Sequence, residues 1–241
     1  MLWKNFAIIG AALALCACSD GASTKSVAIK GAGGLSAITL GASDPASLKV
    51  KVYEMWVSES PLCTDAVKVF PADADDTNAD APYVNFLGTA VDIGTANVAT
   101  GEYPCVAFVM SDNLLVTPSV TEGSCTADVE FTLDVCKNNG DGAPVSTLPD
   151  GTTKTCTAGD DRIAMYLSTA STATTGGEEN NAFAPPTTEG DATKGFKIAQ
   201  AFTVEADMNA IFSVDGSGKI DGTGMDCEFH PPLFSFSASA Q

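Results

Sequence analysis

The sequence predicts a mainly β fold, an antiparallel β-sandwich with long loop insertions. Short runs of alternating apolar and polar residues recur along the chain, and this alternation is typical of half-buried strands. Turn-forming residues separate the runs, with 22 glycines and 12 prolines among 241 residues. After the first 18 residues, no sustained i, i+3, i+4, i+7 apolar series indicates a long amphipathic helix.

Residues 1–17 have the features of a signal peptide. Lys4 supplies a positive start, and an apolar run from Phe6 to Leu15 follows it. That run is too short to cross a membrane in the mature protein, which takes about 20 residues. We therefore expect an exported protein from which this segment is removed.

The letters LCAC at residues 15–18 resemble the bacterial lipoprotein box. The resemblance implies cleavage before Cys18, diacylglycerol on its sulfur and an acylated amine, so that the chain meets the membrane through a lipid anchor. Residues 18–25 would then be a flexible tether. Ser19 after the cysteine implies the outer membrane, with the periplasmic or surface face left open. The alternative is ordinary signal cleavage nearby, which would give a soluble exported protein.

Removal of the leader and acylation of Cys18 leave an even number of cysteines. These are Cys63, Cys105, Cys125, Cys136, Cys156 and Cys227. An even number in an exported chain favours three disulfides. The pairing stays open except for Cys136 with Cys156, because the turn-rich segment between them would bring two flanking strands together. A zinc site is the alternative, but the mature chain lacks C-x-x-C pairs.

Candidate strands follow one another along the mature chain. They lie at 26–31, 35–41, 48–57, 83–94, 99–112, 127–136, 161–169, 195–207, 210–216 and 228–237. The clearest alternation is in 127–136, where Val129, Phe131, Leu133 and Val135 point one way and the acidic residues and Thr132 point the other. Such a series of short strands with polar connections favours a sandwich or a barrel.

Three segments interrupt the spacing of the strands. Residues 71–82 form an acidic loop, 137–155 lie between two cysteines, and 168–195 are of low complexity and expected to form a long mobile loop. No change of composition divides the chain. We therefore predict a single domain over 26–241 with three insertions.

Several of these stretches resemble secreted bacterial domains with a transthyretin-like (prealbumin-like), Ig-like β-sandwich. The resemblance lies in LKVKVYEMWVSES, YVNFLGTAVDIG and VATGEYPCVAFVMSD, where Gly101-Glu102-Tyr103 matches a G-x-Y turn into a strand. FTVEADMNAIFSVDGSGKI and HPPLFSFS match the closing strands. The family is mostly of unknown function, so the resemblance implies a fold and an anchored, exported setting and supplies no catalytic residues.

The charge balance excludes some classes of partner. Thirty acidic residues stand against 12 basic ones, a net charge of -18. Such a chain has no basic surface to replace the counterions of nucleic acid, and it is not attracted to anionic lipid head groups. The charge is typical of a protein kept soluble by self-repulsion.

We expect no cofactor, and calcium is the one metal worth testing. Asp73, Asp75, Asp76, Asn78 and Asp80 place oxygen ligands within eight residues, which suits a hard cation. A solvated acidic loop is the simpler interpretation, because the segment has no turn glycine and no later glutamate. Residues 213–224 resemble an EF-hand loop faintly, but Gly224 stands where a glutamate is needed, so a glycine-rich turn is expected.

No residue is predicted to be catalytic. His230 is the one histidine, and no G-x-S-x-G elbow accompanies it. We predict a lipid-anchored, exported β-sandwich protein of the bacterial cell envelope with a structural or binding role, through its loops, toward an envelope protein. The alternatives are a calcium-dependent or carboxylate-based envelope enzyme, and an adhesin or pilus-like subunit.

Overall fold

The computed structural model describes residues 24–33, 44–73, 76–87, 91–136, 145–157, 159–173, 183–188, 194–205 and 208–240. These ranges contain strands and irregular segments but no α-helix, so none of them holds a helix fit to span a membrane. The mainly β prediction is confirmed. The signal peptide, Cys18 and the candidate strand at 35–41 lie outside the described residues.

The described residues form eighteen strands, numbered here in chain order. They are β1 Thr24–Gly33, β2 Pro45–Ser58, β3 Val67–Phe70, β4 Tyr83–Asn85, β5 Val91–Ala99, β6 Gly101–Tyr103, β7 Cys105–Ser111, β8 Asn113–Pro118, β9 Phe131–Asp134, β10 Val145–Thr147, β11 Thr153–Thr155, β12 Arg162–Ser168, β13 Phe196–Lys197, β14 Phe202–Val204, β15 Met208–Asp215, β16 Ile220–Asp221, β17 Glu228–Phe229 and β18 Leu233–Ala240. β1 thus begins two residues before the predicted start of the domain.

A long antiparallel ribbon forms the centre of an eight-stranded sheet. β7 and β8 follow each other with Asp112 between them, and together they pair along the 14 residues of β2. The outer neighbours change at this joint. On one side of the ribbon, β4 pairs with the first part of β2 and β3 with its last part. On the other side, β9 pairs with β8 and β12 pairs with β7. We call the point at Asp112 where β9 and β12 meet the ribbon the fork.

A second sheet has four strands in the order β18-β15-β1-β5. Its pairs are antiparallel except β1 with β15, which are parallel. β12 and β13 form another parallel pair at the edge of the larger sheet. The fold therefore differs from a uniformly antiparallel one at two pairings, because each of these partners is reached through a long crossover and not a tight turn.

The two sheets meet through aromatic side chains. The ring centroid of Phe212 in β15 lies 4.7 Å from that of Phe108 in β7 and 5.7 Å from that of Phe86. On its other sides Phe212 meets Phe234 at 5.8 Å and Phe236 at 5.3 Å. One buried apolar cluster thus contains side chains of both sheets, and Phe212 lies at its centre.

The central strands of the large sheet are covered on both faces. Every residue of β7 is buried, and so are six of the seven residues of β12. On the outer face, the Tyr166 hydroxyl donates to the carbonyl of Thr147 in β10 at 2.7 Å. The described part of the 137–155 insertion therefore covers this sheet, and the hairpin of β10 and β11 lies in it.

The predicted disulfide Cys136–Cys156 is confirmed. The structure adds two pairs that the sequence left open, Cys63–Cys105 and Cys125–Cys227, which join residues 42 and 102 positions apart. The first fastens the loop after β2 to the start of β7. The second joins the loop before β9 to the segment between β16 and β17.

Several segments differ from the sequence prediction. The candidate strand at 195–207 is divided into β13 and β14, and the one at 228–237 into β17 and β18, with the members of each pair in different sheets. The strand predicted at 127–136 is reduced to β9, because Asp128 takes a positive φ of 59° and Val129 turns outward with 54% of its surface exposed. In the segment predicted as a mobile loop, Phe183 is buried in the core and its carbonyl accepts a bond from the Thr147 N–H at 3.0 Å. An apolar anchor thus interrupts that polar stretch.

Replacing Phe212→Ala should destabilise the protein strongly, because it removes the ring on which both sheets pack. We expect the free energy of unfolding to fall by about 3–5 kcal/mol, the usual cost of deleting a buried phenylalanine. Urea denaturation followed by circular dichroism measures the change. Leu233→Ala in β18, a site 57% exposed, is the control and should change the stability by less than about 0.5 kcal/mol. Equal losses in the two variants would contradict this description of the core.

Candidate functional site

A groove opens beside the loop that connects β2 and β3. Its volume is about 580 Å³, which is within the usual range of ligand-binding pockets, roughly 300–1,000 Å³. The residues that line it are Val57, Ser58, Glu59, Ser60, Thr64, Asp65, Val67, Val69, Val98, Ala99 and Tyr103. The groove thus combines two residues from β2, two from β3, two from β5, one from β6 and the loop at 59–66.

The floor of the groove is apolar. Val57, Val69 and Val98 are each at most 4% exposed, and they continue the core of the protein. Val67 stands at the margin with 61% of its surface exposed. Alternation along β3 places Val67 and Val69 on the same face of the strand, and both line the groove.

The loop at 59–66 is held in one shape by several bonds. The Ser58 hydroxyl donates to the carbonyl of Thr64 at 2.5 Å, and the Cys63 N–H donates to the carbonyl of Ser60 at 2.9 Å. The Ser168 hydroxyl donates to the carbonyl of Pro61, and the Cys63–Cys105 disulfide adds a covalent link. These bonds fix the position of the rim before any ligand arrives.

Backbone strain accompanies this loop. Cys63 has a φ of 61° and Asp65 a φ of 54°, a left-handed conformation that residues other than glycine adopt at a cost. The disulfide and the hydrogen bonds maintain it. The side chain of Asp65 is thereby presented at the surface.

The rim of the groove is acidic. Glu59 and Asp65 are exposed, and among the described residues neither forms an ion pair. Tyr103 also lines the groove, and its hydroxyl donates to the carbonyl of Ala99 at 2.9 Å. Burial, followed by the charge of Glu59, raises the pKa of Tyr103, so its hydroxyl stays protonated at neutral pH. The groove can therefore accept an apolar group on its floor and a positive charge at its rim.

A second cavity, of about 80 Å³, lies between the sheets. Its lining side chains are apolar and include Val50, Phe108, Met165, Phe212 and Phe234. Such a lining offers no group that could orient a polar ligand. We therefore regard this cavity as a feature of the core.

Carboxylates gather at the fork. Asp112 is 0% exposed; its Oδ1 accepts a bond from the Asp161 N–H at 2.8 Å, and its own N–H donates to the Asp161 carbonyl at 3.0 Å. Its carbonyl accepts from the Val135 N–H at 2.9 Å. Its Oδ2 has no hydrogen-bond partner among the described residues. Burial, together with the charges of Asp134, Asp161 and Asp160, raises the pKa of Asp112 to about 6.

The pKa of Asp160, next to the fork, is shifted in the opposite direction to that of Asp112. The Ser111 hydroxyl donates to its Oδ1 at 2.5 Å, and Lys51 Nζ lies 3.0 Å from its Oδ2. The Ser111 bond and then Lys51 lower the pKa of Asp160. Carboxylates with divergent pKa values are a familiar acid and base arrangement, but Asp112 is fully buried and cannot touch a substrate in this structure. The pair therefore serves the joint between strands.

Two of the residues predicted to hold calcium, Asp76 and Asn78, make hydrogen bonds that fasten their own loop. Asp76 Oδ1 accepts a bond from the Asn78 N–H at 2.7 Å, and the Asn78 amide donates to the carbonyl of Val52 at 3.1 Å. Asp73 and Asp80 are exposed, and Asp75 lies outside the described residues. Among the residues described, no group of three or more His, Cys, Asp or Glu side chains is arranged to hold a metal ion. Calcium binding here stays a prediction.

The glycine-rich segment after β15 forms a turn. The Ser217 N–H donates to Asp215 Oδ1 at 3.0 Å, the Lys219 N–H donates to the carbonyl of Gly216 at 3.1 Å, and Gly218 has a φ of 68°. The Gly218 N–H donates to Asp44 Oδ1 at 2.7 Å. The turn predicted for this segment is confirmed.

No family model matches the chain, and no curated protein or solved structure matches it either.

Sequence reasoning missed both the groove and the fork. The groove unites residues from Val57 to Tyr103, which share no local pattern. The one available signal was SESPLCTD, residues 58–65, where turn residues surround a cysteine. At the fork, Asp112 follows an apolar strand and resembles an ordinary turn residue.

The stability of the protein should increase as the pH falls from 7 to 5. The folded state disfavours the ionised form of Asp112, whose pKa is raised to about 6, so the folded state takes up a proton before the unfolded state does. We expect the free energy of unfolding to rise by about 1 kcal/mol over this range. The pKa values of Asp160, Asp215 and Asp221 are lowered by hydrogen bonds, so these groups stay ionised between pH 7 and 5.

Urea denaturation at pH 7, 6 and 5 measures this effect. Asp112→Asn keeps an acceptor for the Asp161 N–H and should flatten the dependence on pH. Asp226→Asn removes an exposed carboxylate and should leave the slope as it is. A slope that survives in Asp112→Asn would show that another group is responsible.

Proposed function

We propose that this chain is a lipid-anchored, exported β-sandwich protein of the bacterial cell envelope with a binding role. The groove beside the loop at 59–66 is the observation that carries the binding role. It has the volume of a ligand site, an apolar floor and a rigid polar rim, and a rim that is already ordered lowers the entropic cost of binding.

Two features support the location. The LCAC sequence before residue 19 resembles the lipoprotein box. The described residues contain three disulfides, and such bonds persist in oxidising, exported compartments. The anchor would hold the domain at the outer membrane. Ring contacts between two β-sheets support the transthyretin-like sandwich as the architecture.

The exposure of the carboxylates favours a binding role over carboxylate catalysis. The carboxylates that converge with shifted pKa values lie around Asp112, which is fully buried. Glu59 and Asp65 are exposed and stand at the groove, where a ligand can reach them. A reachable, ordered and charged rim suits recognition of a partner.

Lipidation at Cys18 can be tested by feeding an alkyne analogue of palmitate to a bacterial host that expresses the full chain. Wild type should carry the label, and Cys18→Ser should lose it because the acceptor sulfur is gone. Cys16→Ser is the matched control and should be labelled like wild type, since residue 16 would leave with the signal peptide. Label on Cys18→Ser would refute the anchor.

The binding role can be tested with a photo-crosslinking amino acid at position 67 of the anchored protein in its native cells. Val67 lies at the margin of the groove, so irradiation should give a discrete adduct of higher mass. The same amino acid at position 225 is the control, because Met225 is 98% exposed but is not part of the groove. Absence of an adduct at 67, or equal adducts at both positions, would refute a binding role for the groove.

A further inference from the structure

We infer that the groove binds a basic side chain of a partner polypeptide, a lysine or arginine whose apolar stem lies on the valine floor. This inference rests on the proposed binding role and names its ligand. It follows from the order of the chemistry along the depth of the groove. The apolar side chains lie at the bottom, and the charges lie at the mouth.

The charge at the mouth is negative and unbalanced. Elsewhere Lys49 pairs with Glu130 at 2.7 Å and Lys51 pairs with Asp160 at 3.0 Å. Within the described ranges, Glu59 and Asp65 have no such cation. The net charge of -18 adds a field of the same sign. An anionic ligand would be repelled from this mouth, and a cationic one would be drawn to it.

The apolar floor of the groove favours a cation that carries an aliphatic stem. Lysine and arginine bury an aliphatic stem while the charged head stays near water, and that arrangement matches valines beneath carboxylates. A purely apolar ligand would cover Glu59 and Asp65 without giving them a partner, which costs free energy. A compact inorganic cation would leave the apolar floor unused. A charged head on an apolar stem satisfies both parts of the groove.

The margin of the groove favours a polypeptide as the source of this side chain. Val67 carries the apolar surface beyond the cavity. In the part of the chain that is described, β3 pairs with β2 alone and β5 with β1 alone. β3 and β5 approach each other at the groove without pairing, so a partner would meet this margin through its side chains.

The test measures binding of a dye-labelled peptide of alternating leucine and lysine to the full lipidated chain in phosphatidylcholine nanodiscs. Fluorescence anisotropy should detect binding that weakens at higher salt. The double variant Glu59→Gln with Asp65→Asn should weaken binding at least tenfold. Asparagine tolerates the left-handed conformation of residue 65, so the loop should keep its shape, and an unchanged thermal midpoint would verify this.

The matched control is Asp226→Asn with Glu228→Gln, which removes the same charge from exposed positions outside the groove. It should leave the affinity within twofold of wild type. A peptide with glutamate in place of lysine should not bind. Failure of the lysine peptide to bind, or equal weakening by both double variants, would overturn the inference.

Competition with spermidine distinguishes a site for small cations from a site for a polypeptide. If it displaces the peptide at equal concentration, the groove is a site for small amines and the inference is wrong. Retention of the peptide supports a polypeptide partner. Crosslinking at position 67 distinguishes the two proposals, because adducts there without peptide binding would refute this inference and leave the binding role standing.

Discussion

The hydrogen bonds of Asp112 hold the joint on which the rest of the structure depends. Its backbone and side chain bind Asp161 on one side, and its carbonyl binds Val135 on the other. One residue therefore connects the ribbon to both β9 and β12. The arrangement places a carboxylate oxygen out of water without a partner among the described residues, a cost that the surrounding ladders offset.

The pairing of β2 with β7 determines where the groove can form. Ser58 at the end of β2 lies opposite Cys105 at the start of β7, so that Cys105 lies beside the loop at 59–66. The disulfide to Cys63 then fixes that loop at the rim of the groove. Packing of Phe212 against Phe108 brings the second sheet close, so that Val98 of β5 completes the floor.

The sequence predicted much of the fold because strands and their turns are local features. Alternation located β2 and β12, and turn residues between two cysteines gave the Cys136–Cys156 pair. Val129 was misplaced because alternation alone does not show that Asp128 turns the chain. The groove and the fork were beyond reach, since each depends on pairing between distant strands, such as β2 with β7, that no short pattern encodes.

The Cys63–Cys105 disulfide determines when the groove reaches the shape that binding needs. Thiols kept reduced during synthesis cannot fasten the loop at 59–66, so the acidic rim acquires its final shape only after oxidation. In a protein exported as we propose, the groove would reach its final shape when the chain arrives in the oxidising compartment outside the cytoplasm. A basic segment met earlier in biogenesis would encounter an unformed receptor, which protects the newly made chain from premature engagement.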